Sequence, residues 1–321
     1  MTIRVLVTAP YILPHMNRFK PLFDQSGIEL ELPEVIERLS EEELLSLVGE
    51  IDGAICGDDG YTARVLQAAV PRLKVISKWG TGIDSIDKKA AEQLGIRVCN
   101  TPGAFSDPVS DSVMGYMLSF ARRIPWMDRF MKQGKWEKTP ARSLRECVLG
   151  VVGVGNCGKA VLRRAKGFGM RLLGNDIREI SPAFIEEVGV TMLDLSELLP
   201  QVDFLSMNCD LNPTSFHLLT REGLQSMQPD AVVINTSRGP VIDEQALVEA
   251  LREGWISGAG LDVFEDEPLA PDSPLRAMDQ VLLSPHNANS SLAAWERVHK
   301  NTIRNLFDGL GITPPEDLDR I

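Results

Sequence analysis

The chain has 321 residues, 44% hydrophobic and 24% charged, a composition that fits about two globular domains and excludes a disordered or collagen-like chain. Its 33 basic residues face 45 acidic ones, and the net charge of −12 argues against a nucleic-acid backbone or an acidic membrane surface as partner. No apolar run approaches the roughly 18 residues of a membrane span, and Met1–Pro14 lacks the apolar core and cleavage site of a signal peptide, so a cytoplasmic location is expected.

Short runs rich in Val, Ile and Leu alternate with amphipathic segments, the pattern of βαβ units around a parallel sheet covered on both faces. Strands are predicted first at Arg4–Thr8, Glu29–Leu32, Gly53–Cys56, Lys74–Ser77 and Arg97–Cys99. Ser40-Glu-Glu-Glu43 has the spacing of a capping box and opens a helix. Another helix is expected to start near Asp87 and stop at Gly95, and a long one spans Asp107–Arg123. A second series of six strands follows at Val148–Val152, Arg171–Asn175, Asp203–Met207, Ala231–Asn235, Gly258–Asp262 and Val281–Ser284, which matches one doubly wound domain. Between them, Ser181-Pro182 and Gly189 frame a helix with Pro at its first position and Gly beyond its end. Helical patterning returns over Leu292–Leu310. The five cysteines are odd in number and form no C-x-x-C pair, so neither a disulfide framework nor a metal site is expected, and a reducing compartment fits.

The strongest local motif is Val151-Val-Gly153-Val-Gly155-Asn-Cys-Gly158, set between an apolar strand and a helical pattern. Gly153 allows the tight turn, Gly155 lets backbone approach a pyrophosphate, and Gly158 lets helix and strand pack closely. The helix N-terminus then offers N–H groups and a positive dipole to phosphate. Asp176, at the end of the next strand, is placed to accept hydrogen bonds from the adenosine ribose and to repel a 2′-phosphate, which favours NAD over NADP. Cys157 inside the loop reads as filling space. Arg238, Glu267 and His286 fall just beyond predicted strands and Asp262 ends one, at the edge where open α/β sheets bind ligands. A base and an anion-binding cation are what oxidation of a hydroxy acid requires. His15, His217 and His299 show no partner pattern and read as surface or structural.

At Asn235-Thr-Ser-Arg238-Gly-Pro-Val-Ile-Asp243, Gly258-Ala-Gly-Leu-Asp262-Val-Phe-Glu-Asp-Glu267-Pro and Ser284-Pro-His286 the chain resembles the D-isomer-specific 2-hydroxyacid dehydrogenases, a family that includes D-3-phosphoglycerate, glycerate and D-lactate dehydrogenases. Lys78-Trp-Gly-Thr-Gly-Ile-Asp84-Ser-Ile-Asp87, Asn100-Thr-Pro-Gly103 and the glycine motif extend the resemblance over most of the chain. It implies an α/β fold of two doubly wound domains: a Rossmann NAD-binding domain at residues 100–288 and a smaller flavodoxin-like substrate domain at residues 1–99 plus 289–321. It also implies roles. Arg238 holds the substrate carboxylate and carbonyl oxygen, His286 is the general acid/base, and Glu267 pairs with it. Asp262 positions the nicotinamide carboxamide, while Asn156, Cys157, Cys209, Thr236 and Ser237 join Gly153, Gly155, Gly158 and Asp176 as cofactor contacts. Gly80, Thr81 and Gly82 receive the carboxylate on backbone N–H groups. The family's habit of pairing through the cofactor domain makes Trp126, Met127, Phe130, Met131 and Trp136 a candidate homodimer surface, with a domain core as the other reading.

The chain departs from the family pattern where specificity is set. Asn287-Ala-Asn-Ser-Ser replaces the usual Ile and glycines after the histidine, and Ser206-Met-Asn208-Cys-Asp210 replaces a His-x-Pro pattern. Lys78 either contacts an acidic second group on the substrate or is an exposed strand-end lysine. The expected activity is therefore NAD-dependent hydride transfer between a D-2-hydroxy acid and its 2-keto acid, 3-phosphoglycerate or another acidic hydroxy acid being one candidate. Oxidation of formate or phosphite, or an NADH-sensing interaction protein of the corepressor type, remain alternatives.

Overall fold

The computed structural model describes residues 2–320. The chain divides into two units, Met1–Phe105 with Ser291–Ile321 and Ser106–Ser290.

Among the described residues, the first unit contains β1 (Ile3–Val7), α1 (Met16–Gln25), β2 (Ile28–Glu31), α2 (Glu41–Leu47), β3 (Gly53–Cys56), α3 (Ala63–Ala69), β4 (Val75–Lys78), α4 (Lys88–Gln93) and β5 (Arg97–Cys99). The strands form a parallel sheet in the order β2-β1-β3-β4-β5, the flavodoxin-like winding. Every residue of β3 and β4 is buried, which is why these strands read as continuous rather than alternating patterns. Local chemistry sets the helix starts. Ser40 and Glu43 cap α2 reciprocally, and Asp87 Oδ1 accepts the Ala90 N–H at 2.9 Å to open α4. Gly95, at φ +71°, turns the chain out of α4.

The second unit holds α5 (Ser106–Arg122), α6 (Ile124–Lys132), β6 (Val148–Val152), α7 (Asn156–Gly167), β7 (Arg171–Asn175), α8 (Pro182–Val188), β8 (Thr191–Met192), α9 (Leu195–Leu198), β9 (Phe204–Met207), α10 (Arg221–Ser226), β10 (Val232–Asn235), α11 (Glu244–Glu253), β11 (Gly258–Leu261) and β12 (Val281–Leu283). Its parallel sheet runs β12-β11-β10-β9-β6-β7-β8, the doubly wound order with one further strand at the β12 edge. Seven strands stand where six were predicted. The extra one, β8, is two residues long and pairs Thr191 with Leu173 and Met192 with Gly174, too short to show a period in the sequence. The predicted long helix ends at Arg122, because Arg123 takes a left-handed conformation (φ 54°) and redirects the chain into α6. None of the α6 residues is buried, so Trp126, Met127, Phe130 and Met131 are not part of a core, and Trp136 beyond them is exposed.

The last helix, α12 (Leu292–Gly309), belongs to the first unit. It buries Val298, Ile303, Leu306 and Phe307 and packs on β3 and β4, where Ser77 Oγ donates to Thr302 O at 2.8 Å. No helix among the described residues is long and apolar enough to cross a membrane.

Candidate active site

The glycine turn joins β6 to α7. Gly153 has φ +89°, and a Cβ there would stand 2.6 Å from the Cys209 backbone nitrogen. A Cβ on Gly158 would lie 2.0 Å from the Gly153 oxygen, so any side chain would force the helix off the strand. Gly155 differs: only the Arg178 guanidinium comes within 4 Å of such a Cβ, at 3.6 Å, which leaves room for a ligand over the turn. Gly155 is also the α7 N-cap and supplies no side chain to the helix N–H groups, and Asn156 at the first helical position is exposed. Two buried oxygens without a hydrogen-bond partner, Asn208 Oδ1 and Thr236 Oγ1, follow β9 and β10 at this sheet edge. An open phosphate cradle with orphaned acceptors nearby fits a dinucleotide.

The Asp176 carboxylate is already engaged. Oδ2 accepts the Val154 N–H at 2.7 Å and Oδ1 the Arg178 N–H at 2.8 Å, with the Arg178 guanidinium Nε at 3.5 Å. It thus ties the end of β7 to the glycine turn. Burial raises the thiol of Cys157, and pushes Cys209 up to about 11, so neither is poised as a nucleophile at neutral pH.

Arg238, Glu267 and His286 follow β10, β11 and β12, three neighbouring strands, at their carboxyl ends. Each loop is fixed by a carboxamide or carboxylate. Asn235 Oδ1 accepts from the Ser237 N–H (3.1 Å) and hydroxyl (2.8 Å), while its Nδ2 donates to Arg238 O at 2.9 Å. Asp262, 1% exposed, accepts the N–H groups of Asn287 and Ala288, both at 2.8 Å, and its own carbonyl accepts the His286 N–H at 2.7 Å. These bonds hold His286 in the left-handed region (φ 51°), a conformation costing about 1–3 kcal/mol that persists where the surroundings enforce it. Glu267 then bridges: Oε1 accepts the Phe264 N–H at 3.0 Å, and Oε2 lies 2.9 Å from His286 Nδ1. The pair is three-quarters buried, with side-chain exposures of 22% and 25%. The carboxylate meets the ring at Nδ1 and so sets its orientation.

His217, which shows no partner pattern in the sequence, has one in the fold, and Glu244 and Glu265 join it. His217, also left-handed (φ 48°), donates its N–H to Pro240 O at 2.8 Å and sets Nε2 2.7 Å from Glu265 Oε1. That same Oε1 accepts the Glu244 N–H at 3.1 Å, and Glu244 Oε2 accepts the Glu265 N–H at 3.0 Å. Burial raises the Glu244 carboxyl above the usual carboxylate range. No local spacing announces contacts between residues 217, 244 and 265.

In the first unit, Thr101 donates its N–H and its hydroxyl to Gly80 O, both at 2.9 Å, and Asn100 Nδ2 donates to Thr81 O at 2.5 Å. Because a trans peptide sets C=O and N–H in opposite directions, the N–H groups of Thr81 and Gly82 point away from the 100–101 segment. Lys78 is not an exposed strand end. Its side chain is 4% exposed, and Nζ donates to Gly57 O at 2.6 Å and Asp58 Oδ1 at 2.7 Å.

The profile described as D-isomer specific 2-hydroxyacid dehydrogenase, NAD binding domain, matches residues 114–288. The glyoxylate reductase of Korarchaeum cryptofilum is 40% identical over 281 residues, 85% of this chain and 81% of that protein. The hydroxypyruvate reductase of Thermotoga maritima is 36% identical over 288 residues, 88% of this chain and 92% of that protein. Among solved structures, the TT0316 protein of Thermus thermophilus has a TM-score of 0.84 at 35% identity, covering 98% of this chain and 99% of that one.

Proposed function

The chain belongs to the D-isomer specific 2-hydroxyacid dehydrogenase family and carries its NAD-binding domain, and from that premise we propose that it reduces a small 2-keto acid such as glyoxylate or hydroxypyruvate with NADH. The observation that carries the reading is the His286–Glu267 couple, fixed at 2.9 Å beside the loop that bears Arg238.

When bound, NADH supplies the hydride that carbon 2 of the keto acid accepts. His286 gives a proton from Nε2 to the carbonyl oxygen and takes it back in the oxidative direction. The Glu267 carboxylate holds the ring orientation through its contact with Nδ1. Arg238 offers a permanently charged, planar grip on the substrate carboxylate. Asp262 keeps His286 in place through the backbone that follows it. On the first unit, the proposed substrate contact is the Gly80–Gly82 loop, whose N–H groups suit a carboxylate.

The substrate's small, uncharged side chain is supported by Lys78. Its ammonium is buried against Asp58 and the Gly57 carbonyl, so it offers no ready partner for the second acidic group of 3-phosphoglycerate. The reading includes a homodimer, supported by the exposed apolar Ile124, Met131 and Trp136, at 56%, 51% and 84%.

The test is NADH consumption with glyoxylate, hydroxypyruvate and pyruvate, and NAD reduction with 3-phosphoglycerate. Turnover of the two-to-three-carbon keto acids supports the proposal. Activity confined to 3-phosphoglycerate would replace the substrate, and tight NADH binding without turnover of any acid would sink the enzyme reading.

A further inference from the structure

The loops bearing Arg238 and Glu267 touch backbone to backbone at Gly239 and Phe264. Such contact is steric and sets no direction along the interface. Direction comes from Glu265, next to Phe264. Its Oε1 reaches two other segments at once: the first backbone N–H of α11, at Glu244, and the His217 ring. Glu244 returns the contact by accepting the Glu265 N–H. His217 closes the circuit, since its own N–H is bonded to Pro240 O, two residues beyond Arg238. Phe216 stacks on the His217 ring with centroids 4.1 Å apart and covers it on one side. His217 holds a left-handed backbone in doing so (φ 48°).

We propose that Glu265, with His217, is a positioning clamp that sets the Glu267 carboxylate, and through it the His286 ring, in register with the Arg238 loop. The clamp rests on the functional reading above. It acts two residues away from Glu267, through the Phe264–Glu267 turn whose N–H to carboxylate bond orients the side chain. Neither Glu265 nor His217 touches the reacting atoms. Their loss leaves each partner present and misplaced, and a displacement of about 1 Å in such a constellation is enough to slow turnover strongly.

Glu265→Gln keeps an oxygen that accepts from Glu244 and His217, whereas Glu265→Ala keeps none. The expected result for Glu265→Ala is a kcat lowered about tenfold in keto acid reduction, with the substrate KM and the NADH Kd within about twofold of the parent. Glu265→Gln restores kcat to within about twofold, and His217→Ala lowers it about threefold. A merely structural role would instead lower thermal stability and NADH affinity along with kcat.

An unchanged kcat in Glu265→Ala, or a loss that Glu265→Gln shares in full, overturns the clamp. If Glu265→Ala does not fold, His217→Ala decides by the same split between kcat and KM. Glu267→Gln, run in parallel, separates the two proposals. If it is crippled while Glu265→Ala matches the parent, only the clamp fails. If Glu267→Gln turns over normally, the role given to Glu267 fails and the clamp with it, whereas a parent enzyme that turns over no keto acid sinks the functional reading itself.

Discussion

A Cβ placed on Gly239 would stand 1.8 Å from the carbonyl carbon of Phe264 and 1.9 Å from its oxygen. The loop after β10 and the loop after β11 therefore touch without any side chain between them. Only glycine fits, for reasons of space rather than of backbone torsion. Gly239→Ala is expected to push the Arg238 and Glu267 loops apart, costing about 1–3 kcal/mol in stability. Its kcat/KM for glyoxylate should fall by more than its melting temperature would explain, as steady-state kinetics beside calorimetry will show.

Removal of the proton donor tests the proposed chemistry directly. His286→Ala should lower kcat by about 10²–10⁴, the usual contribution of a general acid, and leave the NADH Kd nearly unchanged. Fluorescence titration with NADH gives the second number. A variant that turns over at the parental rate removes His286 from the mechanism.

Asp176 ties Val154 of the glycine turn, and it is the proposed contact of the adenosine ribose. Asp176→Ala should weaken NADH binding about 10- to 100-fold, as loss of a charge-assisted hydrogen bond does, and narrow the preference for NADH over NADPH. Comparing Kd values for the two cofactors checks both effects.

His299 supplies a pH signature of stability within the first unit. It is 2% exposed and accepts the Trp79 Nε1–H at Nδ1 (2.9 Å), and burial, aided by neighbouring His15, lowers its pKa from 6.5 to about 4. As pH falls below 6.5 the unfolded chain takes up a proton that the folded one refuses. The stabilisation is therefore complete above that pH and drains away down to about pH 4, by about 3 kcal/mol in total. Urea midpoints between pH 7 and 4 should fall less steeply for His299→Asn, which does not titrate and still offers an oxygen to Trp79.

The loop after β12 hangs on one carboxylate. Asp262→Ala leaves the buried Ala288 N–H and the part-buried Asn287 N–H without their acceptor, a cost of about 1–3 kcal/mol for the buried one. It should cut kcat as His286 loses its enforced backbone conformation. Chemical denaturation and turnover measured on the same preparation test the two consequences together.

Much of this was readable along the chain because the relevant signals are local. The turn at Gly153, Gly155 and Gly158 and the acidic residue after β7 lie within one βαβ unit. The Ser40–Glu43 capping box and the Asp87 cap lie within one helical turn. Arg238, Glu267 and His286 were marked by their place after strands, and the resemblance of their flanking motifs supplied roles. Other features were invisible for equally physical reasons. Two residues of β8 carry no periodicity, and the left-handed backbones at Arg123, His217 and His286 occur at residue types that do not demand them. The pairing of Lys78 with Asp58 spans 20 residues, and that of His217 with Glu265 spans 48.

By itself the sequence determined the alternation of strands and helices, the dinucleotide turn and the side chains available for chemistry, since these follow from patterns closed within a few residues. The winding of the two sheets came from the family resemblance. The tertiary structure decided how those side chains are held: which oxygen of Glu267 meets His286, that Lys78 is already neutralised, and that Glu265 joins three segments. Such contacts depend on the spacing and register of neighbouring strands, and those exist only once the sheet has formed.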